Sequence, residues 1–344
     1  MVTVVIGSYF EDEFVQRIRE VDDGLSVLYR QDLVPPPRWP GDHNGPADWE
    51  RSAADDEEFL AMLAGAEVLY DFPRGHIQDL KDVAPKLRWL QASMAGAGEV
   101  AQKSDLLETD ITITTASGIY SNPLAEFALM TMLQHAKKLN RLREEKAQKI
   151  WRQDFVDSIE GKTLCIIGMG NIGRTIAKRA KPFGMRVVGV KRTVRDDDPS
   201  HEHADELRTT DDLRDAVAEA DYVAVALPGT PETHHLVDAA VFEAMKPGAY
   251  FVNVGRGAAV EEEALIRALQ SGHLSGAGLD VFEVEPLTEE SPLWEMENVI
   301  VSPHATDMVP SLINPLQTDL FCENLRRYLA GEELMNVLDK RLLY

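Results

Sequence analysis

Three polar residues stand just past runs that read as buried strands: Arg256 after YFVNV, Glu285 after GLDVF and His304 after NVIVS. A guanidinium can clamp a carboxylate, and an imidazole can shuttle a proton near neutral pH. A carboxylate beside that imidazole favours its charged form. In open parallel sheets ligand groups gather at the carboxyl ends of strands, so residues this far apart in sequence can converge on one crevice. Upstream, Gly168-Met169-Gly170-Asn171-Ile172-Gly173 matches G-x-G-x-x-G between the strand TLCII and the helical stretch NIGRTIAKRAKPFG. Gly168 suits the tight turn, Gly170 lets the backbone approach a pyrophosphate, and Gly173 permits close helix–strand packing. The N–H groups and positive dipole end of that helix then hold the phosphate charge. In this strand–turn–helix setting the motif points to dinucleotide binding.

The next strand, RVVGV, should end on the residue that reads the adenine ribose, an Asp or Glu in an NAD-type site. Here it ends on Lys191-Arg192-Thr193, with Arg195 close behind. Cations at that spot neutralise a 2′-phosphate, and Arg grips it bidentately. NADP(H) is therefore expected in preference to NAD(H).

These residues need strands and helices to position them. Strand patterns cover residues 2–6, 26–29, 67–70, 87–91 and 111–114, and later 163–167, 186–190, 222–226, 250–254, 276–280 and 298–302. Helical spacing appears at 11–20, at 171–183, in the tail at 316–329, and as one long run over 122–148 whose second half, KKLNRLREEKAQK, is charged. Strands alternating with helices imply parallel sheets with both faces covered. Because the alternation restarts at 163, two α/β units are expected. Residues 35–56 hold PPP, WPGD and NGP and read as loop, since proline removes donors and fixes φ.

Composition narrows the partners. The 344 residues are 44% hydrophobic and 27% charged, as in an ordinary globular protein. Net charge is −23, which disfavours phosphate backbones and anionic lipids, so neither nucleic acid nor membrane is expected as a partner. Arg outnumbers Lys, 22 to 13, an acidic, lysine-poor balance that suits either a salt-rich cytoplasm or a merely acidic mesophile. Two distant cysteines, Cys165 and Cys322, and a start without a basic n-region point to a reducing, cytoplasmic setting. His201, His203, His234 and His235 read as surface residues. His201-Glu202-His203 lacks the spacing of a metal site, and no metal is expected.

The strings GMGNIG, NVGRG, GLDVFEVEPL followed by SPLW, and VSPH, with SMAGAGE at 93–99 and SGIYSNPLAEFAL at 117–129, carry a resemblance. From about residue 87 to 304 the chain resembles the D-isomer-specific 2-hydroxyacid dehydrogenases, in the manner of NADP-type glyoxylate/hydroxypyruvate reductases. The resemblance implies an α/β fold of two doubly wound parallel-sheet domains, Rossmann- and flavodoxin-like, with a cleft between them. Residues 1–110 with 305–344 would form the substrate domain and 111–304 the dinucleotide-binding domain. It implies reduction of small 2-oxo acids to D-2-hydroxy acids, with His304 as acid–base catalyst, Glu285 as its partner and Arg256 orienting the substrate and polarising its carbonyl. The backbone of Met94, Ala95 and Gly96 would bind the substrate carboxylate, and Arg256 and His304 would also contact the substrate. Coenzyme contacts would come from Gly168, Gly170, Asn171, Ile172, Gly173, Lys191, Arg192, Thr193, Leu227, Pro228, Val254, Gly255, Arg256, Asp280 and His304. A homodimer is implied, and Trp151 sits where some relatives reach into the partner's cleft. A second reading is a nucleotide-sensing protein like the C-terminal-binding corepressors, which share the fold. Tyr120, where many relatives carry a small polar residue, and ATDMVP after His304 depart from the family's usual pattern. Glu285 argues against formate dehydrogenases, which carry an amide there.

Overall fold

The computed structural model describes residues 1–104 and 106–344, arranged as two compact units, Met1–Tyr120 with Met308–Tyr344, and Ser121–Asp307. The first unit holds β1 (Val2–Ile6), β2 (Leu25–Leu28), β3 (Val68–Tyr70), β4 (Trp89–Gln91) and β5 (Thr112–Thr114). All pair in parallel, in the order β2-β1-β3-β4-β5, the flavodoxin-like order. Side chains alternate strictly across this sheet. Val4, Ile6, Val68, Tyr70 and Trp89 face one core, shared with Phe14, Val15 and Ile18 of helix Asp12–Arg19 and with Phe321, Cys322 and Leu325 of helix Pro310–Ala330. Val5, Leu69 and Leu90 face the other, with Phe59 and Leu63 of helix Ala53–Leu63. Burial on both faces is why these strands read as unbroken apolar runs. Because β5 pairs with β4, the first unit runs on to Tyr120, past residue 110.

The second unit holds β6 (Thr163–Ile167), β7 (Arg186–Lys191), β8 (Glu206–Thr209), β9 (Tyr222–Val225), β10 (Ala249–Asn253), β11 (Leu274–Leu279) and β12 (Val299–Val301). Their order is β12-β11-β10-β9-β6-β7-β8, again all parallel. The order reverses at β6, the switch point at which dinucleotides bind in a Rossmann sheet. Strand β8 was not among the sequence's strand patterns. It lies at the sheet edge, half-buried throughout, and its Glu206 and Arg208 are charged. They are tied into an ion-pair network with Arg186 and Glu219 rather than into a hydrophobic face.

The run 122–148 is two helices, Ser121–Ala136 and Leu139–Ala147, separated by Lys138 in the left-handed region at φ 51°. The first is buried along much of its length, and Gly278 of β11 admits it: a Cβ there would fall 2.7 Å from Thr131 Oγ1. The apolar stripe ends at Ala136, and Asn140 anchors the charged half by accepting from Gln134 Nε2 (3.0 Å) and donating to the Glu297 carbonyl (2.7 Å). The proline-rich stretch 35–56 is loop until residue 53 but is firmly pinned. Buried Asp42 accepts from the backbone N–H groups of Arg38, Asn44 and Gly45 and from the Arg38 guanidinium. Arg74 donates to the carbonyls of Asn44 and Pro46. No described helix is long and apolar enough to cross a membrane.

Candidate active site

The glycine-rich turn has the shape its sequence requires. Gly168 follows β6 with φ 101°, and a Cβ there would lie 2.6 Å from the Ala226 carbonyl oxygen. Gly173 lets helix Asn171–Ala180 rest on the turn, since a Cβ would fall 2.0 Å from the Gly168 carbonyl oxygen. At Gly170, by contrast, a Cβ would meet nothing within 4 Å, and no side chain caps the helix. An open approach to backbone N–H groups at a helix N-terminus fits a pyrophosphate. Asn171 and Ile172 open that helix, and Asn171 Oδ1 accepts from Arg174 Nη2 (2.6 Å).

At the end of β7, Lys191 Nζ pairs with Asp198, an acid from the following loop. Burial opposes charge on Asp198, but hydrogen bonds from Lys191 and Ser200 prevail and bring its carboxyl down to about 2. Ser200 Oγ in turn donates to the Met169 carbonyl (3.3 Å), fastening this loop to the glycine-rich turn. Arg192 and Thr193 are exposed beside it. Leu227-Pro228 and Val254-Gly255 follow the neighbouring strands β9 and β10 and pack closely. A Cβ on Gly255 would fall 2.6 Å from the Leu227 nitrogen.

His304 and Glu285 meet. The Nδ1 of His304 lies 2.8 Å from Glu285 Oε2, while Glu285 Oε1 accepts the Phe282 N–H (3.0 Å), so both carboxylate oxygens are oriented. With Nδ1 engaged, Nε2 is the ring atom left to face a reactant. The backbone of His304 is left-handed, φ 51°, a conformation that a non-glycine residue keeps only when its surroundings impose it. Asp280, fully buried at the end of β11, imposes it. Its carbonyl accepts the His304 N–H (2.9 Å), and its Oδ1 accepts from Ser302 Oγ (2.7 Å), Ala305 N (3.1 Å) and Thr306 N (3.2 Å). Its Oδ2 accepts from Thr306 Oγ1 (2.7 Å).

Arg256 follows β10, half-buried, with Nη1 donating to the Gly255 carbonyl (3.0 Å). Buried Asn253 holds its backbone, accepting from Gly255 N and donating to the Arg256 carbonyl. Asp307 links these groups electrostatically. Burial and then the charge of Asp280 raise its carboxyl above the usual range, while His304 and Arg256 pull it down.

Met94, Ala95 and Gly96 belong to the first unit, in the turn after β4. The residue before them, Ser93, is fixed from several sides. Its Oγ donates to Asp71 Oδ2 (2.8 Å), and its carbonyl accepts from Tyr120 OH (2.5 Å) and Gln317 Nε2 (2.8 Å). Tyr70 OH donates to Gln317 Oε1 (3.2 Å), and the Met94 carbonyl accepts the Ala116 N–H (3.1 Å). Tyr120 thus braces this turn. Asp71, Asp198, Asn253, Asp307 and Gln317 were not among the sequence candidates. Asp71 stands just after a strand, in VLYDF, and the rule that singled out Arg256 would have found it. Gln317 sits mid-helix with no signal around it.

Residues 129–306 match the family described as D-isomer specific 2-hydroxyacid dehydrogenase, NAD binding domain. Over 271 residues the chain is 35% identical to the glyoxylate reductase of Thermococcus gammatolerans, covering 76% of this chain and 79% of that protein. A crystal structure of a D-isomer specific 2-hydroxyacid dehydrogenase from Xanthobacter autotrophicus Py2, in complex with NADPH and MES, superposes with a TM-score of 0.78 at 27% identity. It covers 100% of this chain and 99% of that one. The NADPH-dependent glyoxylate/hydroxypyruvate reductase of Sinorhizobium meliloti, in complex with NADP and sulfate, gives 0.78 at 25% identity, covering 100% of both chains.

Proposed function

The chain belongs to the D-isomer-specific 2-hydroxyacid dehydrogenases, and on that premise we propose how its residues carry out the family's reaction. It is an NAD(P)-dependent oxidoreductase that reduces small 2-oxo acids to D-2-hydroxy acids. The coenzyme, when bound, supplies the hydride. His304 donates a proton from Nε2 to the substrate's carbonyl oxygen. Glu285, on Nδ1, fixes the ring's orientation so that Nε2 faces the substrate. Arg256 pairs with the 2-oxo acid and stabilises the charge that develops on the carbonyl oxygen. The backbone N–H groups of residues 94–96 receive the substrate carboxylate, and Asp280 acts as a positioning residue through the 302–306 turn.

The observation that carries this reading is the 2.8 Å Glu285–His304 contact, in a unit that also holds the glycine-rich turn. NADP(H) is the preferred coenzyme. No carboxylate stands at residues 191–193, and two structural neighbours hold NADPH or NADP. Lys191, Arg192 and Thr193, at and just past the end of β7, take the 2′-phosphate. The protein acts as a homodimer through the long helical run 122–148, with Trp151, 95% exposed, directed at the partner. Its two cysteines are buried and free, in keeping with the cytoplasm. The test follows NADPH and NADH absorbance with glyoxylate, hydroxypyruvate and larger 2-oxo acids, in wild type and His304→Ala. Turnover by wild type that falls at least about a hundredfold in the variant is expected. Tight NADPH binding without turnover of any acid, or a variant as active as wild type, would refute the assigned roles.

A further inference from the structure

Outside this machinery, His234, His235 and Glu283 each present one ligand atom, and these atoms all lie within 4.8 Å of one another. Among the described residues no other group of this kind occurs. The two histidines lie in the segment after β9, and Glu283 lies in the segment after β11. His235 Nε2 and Glu283 Oε1 are 2.5 Å apart, and the neighbouring imidazole rings are 4.0 Å apart between centroids. We propose that these three side chains bind a divalent transition-metal cation of the zinc class, with water completing the coordination.

The donor set selects that class. Two imidazoles and one carboxylate suit zinc, nickel or copper(II), whereas calcium and magnesium require oxygen ligands. In a tetrahedral site with metal–ligand bonds of about 2.0–2.2 Å, donor atoms stand roughly 3.3 Å apart. The His235–Glu283 pair stands closer than that, at 2.5 Å, and no pair exceeds 4.8 Å, so the three side chains adjust to admit an ion. The cation takes the place of the hydrogen on His235 Nε2 that faces Glu283, and that proton leaves to solvent. His234 is exposed and open to water on the approach side.

The surroundings already orient the ligands. Glu283 Oε2 accepts the Glu262 N–H (3.3 Å) while Glu262 Oε2 accepts the Glu283 N–H (3.0 Å), leaving Glu283 Oε1 for the metal. Such outer contacts fix ligand direction in metal sites. His235 adopts φ 50°, and its N–H donates to the Ala258 carbonyl (2.9 Å). That left-handed turn is what brings two consecutive histidines onto one point. A bound ion would therefore join the loop that begins at Leu227-Pro228 to the loop that bears Glu285, beside the segment that bears Arg256. The site is independent of the catalytic roles assigned above.

The test uses the full chain, treated with chelator and then titrated with Zn²⁺ by calorimetry, and with Co²⁺ by visible absorption. One ion per chain is expected, with the intensified visible bands of imidazole-bound tetrahedral cobalt. His234→Ala and Glu283→Gln should each weaken binding at least about tenfold. Glutamine can still accept the Glu262 N–H, and far-UV circular dichroism verifies that each variant is folded. His201→Ala/His203→Ala should bind as wild type does. Absence of binding by wild type, wild-type affinity in either ligand variant, or loss of binding in the His201/His203 variant would overturn the assignment.

Discussion

Asp280 carries the most exacting prediction, because its geometry gives numbers to work with. Its carboxylate accepts four hydrogen bonds from Ser302, Ala305 and Thr306 and is wholly buried. In Asp280→Ala the two hydroxyls can rotate to other partners, but the N–H groups of Ala305 and Thr306 cannot. Two unsatisfied donors on half-buried residues cost about 1–3 kcal/mol each, or about 4 kcal/mol together at the middle of that range. Relaxation of the His304 backbone out of its left-handed state returns about 1–2 kcal/mol. The net loss is thus about 2–3 kcal/mol, and relief of strain moves the imidazole away from Glu285. A displacement on the order of 1 Å at the proton donor lowers kcat/KM about a hundredfold. Asp280→Asn is the informative control. Its Oδ1 keeps three of the bonds, and its amide can donate to Thr306 Oγ1, so about 1 kcal/mol and less than tenfold in kcat/KM are expected. The measurements are urea denaturation midpoints and steady-state kinetics. If the alanine variant keeps wild-type kcat/KM, or the two variants lose activity equally, the clamp is not what matters and the reasoning fails.

Glu285→Gln removes a charge-assisted bond between side chains that are 36–40% exposed. After discounting for solvent, about 1.5 kcal/mol or a tenfold fall in kcat/KM is expected, while coenzyme binding by fluorescence titration stays unchanged. Arg192→Ala should raise KM for NADPH about tenfold and leave KM for NADH alone; equal change in both would dissociate it from the 2′-phosphate. Gly173→Ala forces a Cβ against the Gly168 carbonyl, so about 1–3 kcal/mol of stability and a weaker hold on both coenzymes should be lost together, measured by thermal melting and titration. Burial opposes charge on Asp42, but its bonds to Arg38, Asn44 and Gly45 bring the carboxyl to about 2, below the unfolded value near 3.8. Its contribution is therefore full above pH 4 and is lost as pH falls towards 2. Asp42→Asn should flatten that part of the stability–pH curve measured by urea denaturation.

What could be read in advance divides along physical lines. Strands buried on both faces, such as β1 and β6, declare themselves as apolar runs, and Gly168 and Gly173 mark a turn that no other residue could make. The ends of those strands then located Arg256, Glu285 and His304. Strand β8 was hidden because ion pairs, not apolar alternation, hold ELRT at its edge. The break at Lys138 was hidden because helical spacing says which face is apolar but not where tertiary support stops. Asp198 escaped notice for a related reason: the acid beside β7 comes from a loop seven residues downstream of Lys191, and only the folded chain returns it.

The route of the polypeptide has a consequence for synthesis. Phe321, Cys322 and Leu325 complete a core whose other walls are Val4, Ile6, Val68, Tyr70 and Trp89. On a translating ribosome the sheet made from the opening residues must wait, one flank covered only by helix Asp12–Arg19, while the whole of Ser121–Asp307 emerges and can fold by itself. During that interval the uncovered part of this apolar, largely aromatic flank is where the nascent chain most needs a chaperone's shelter.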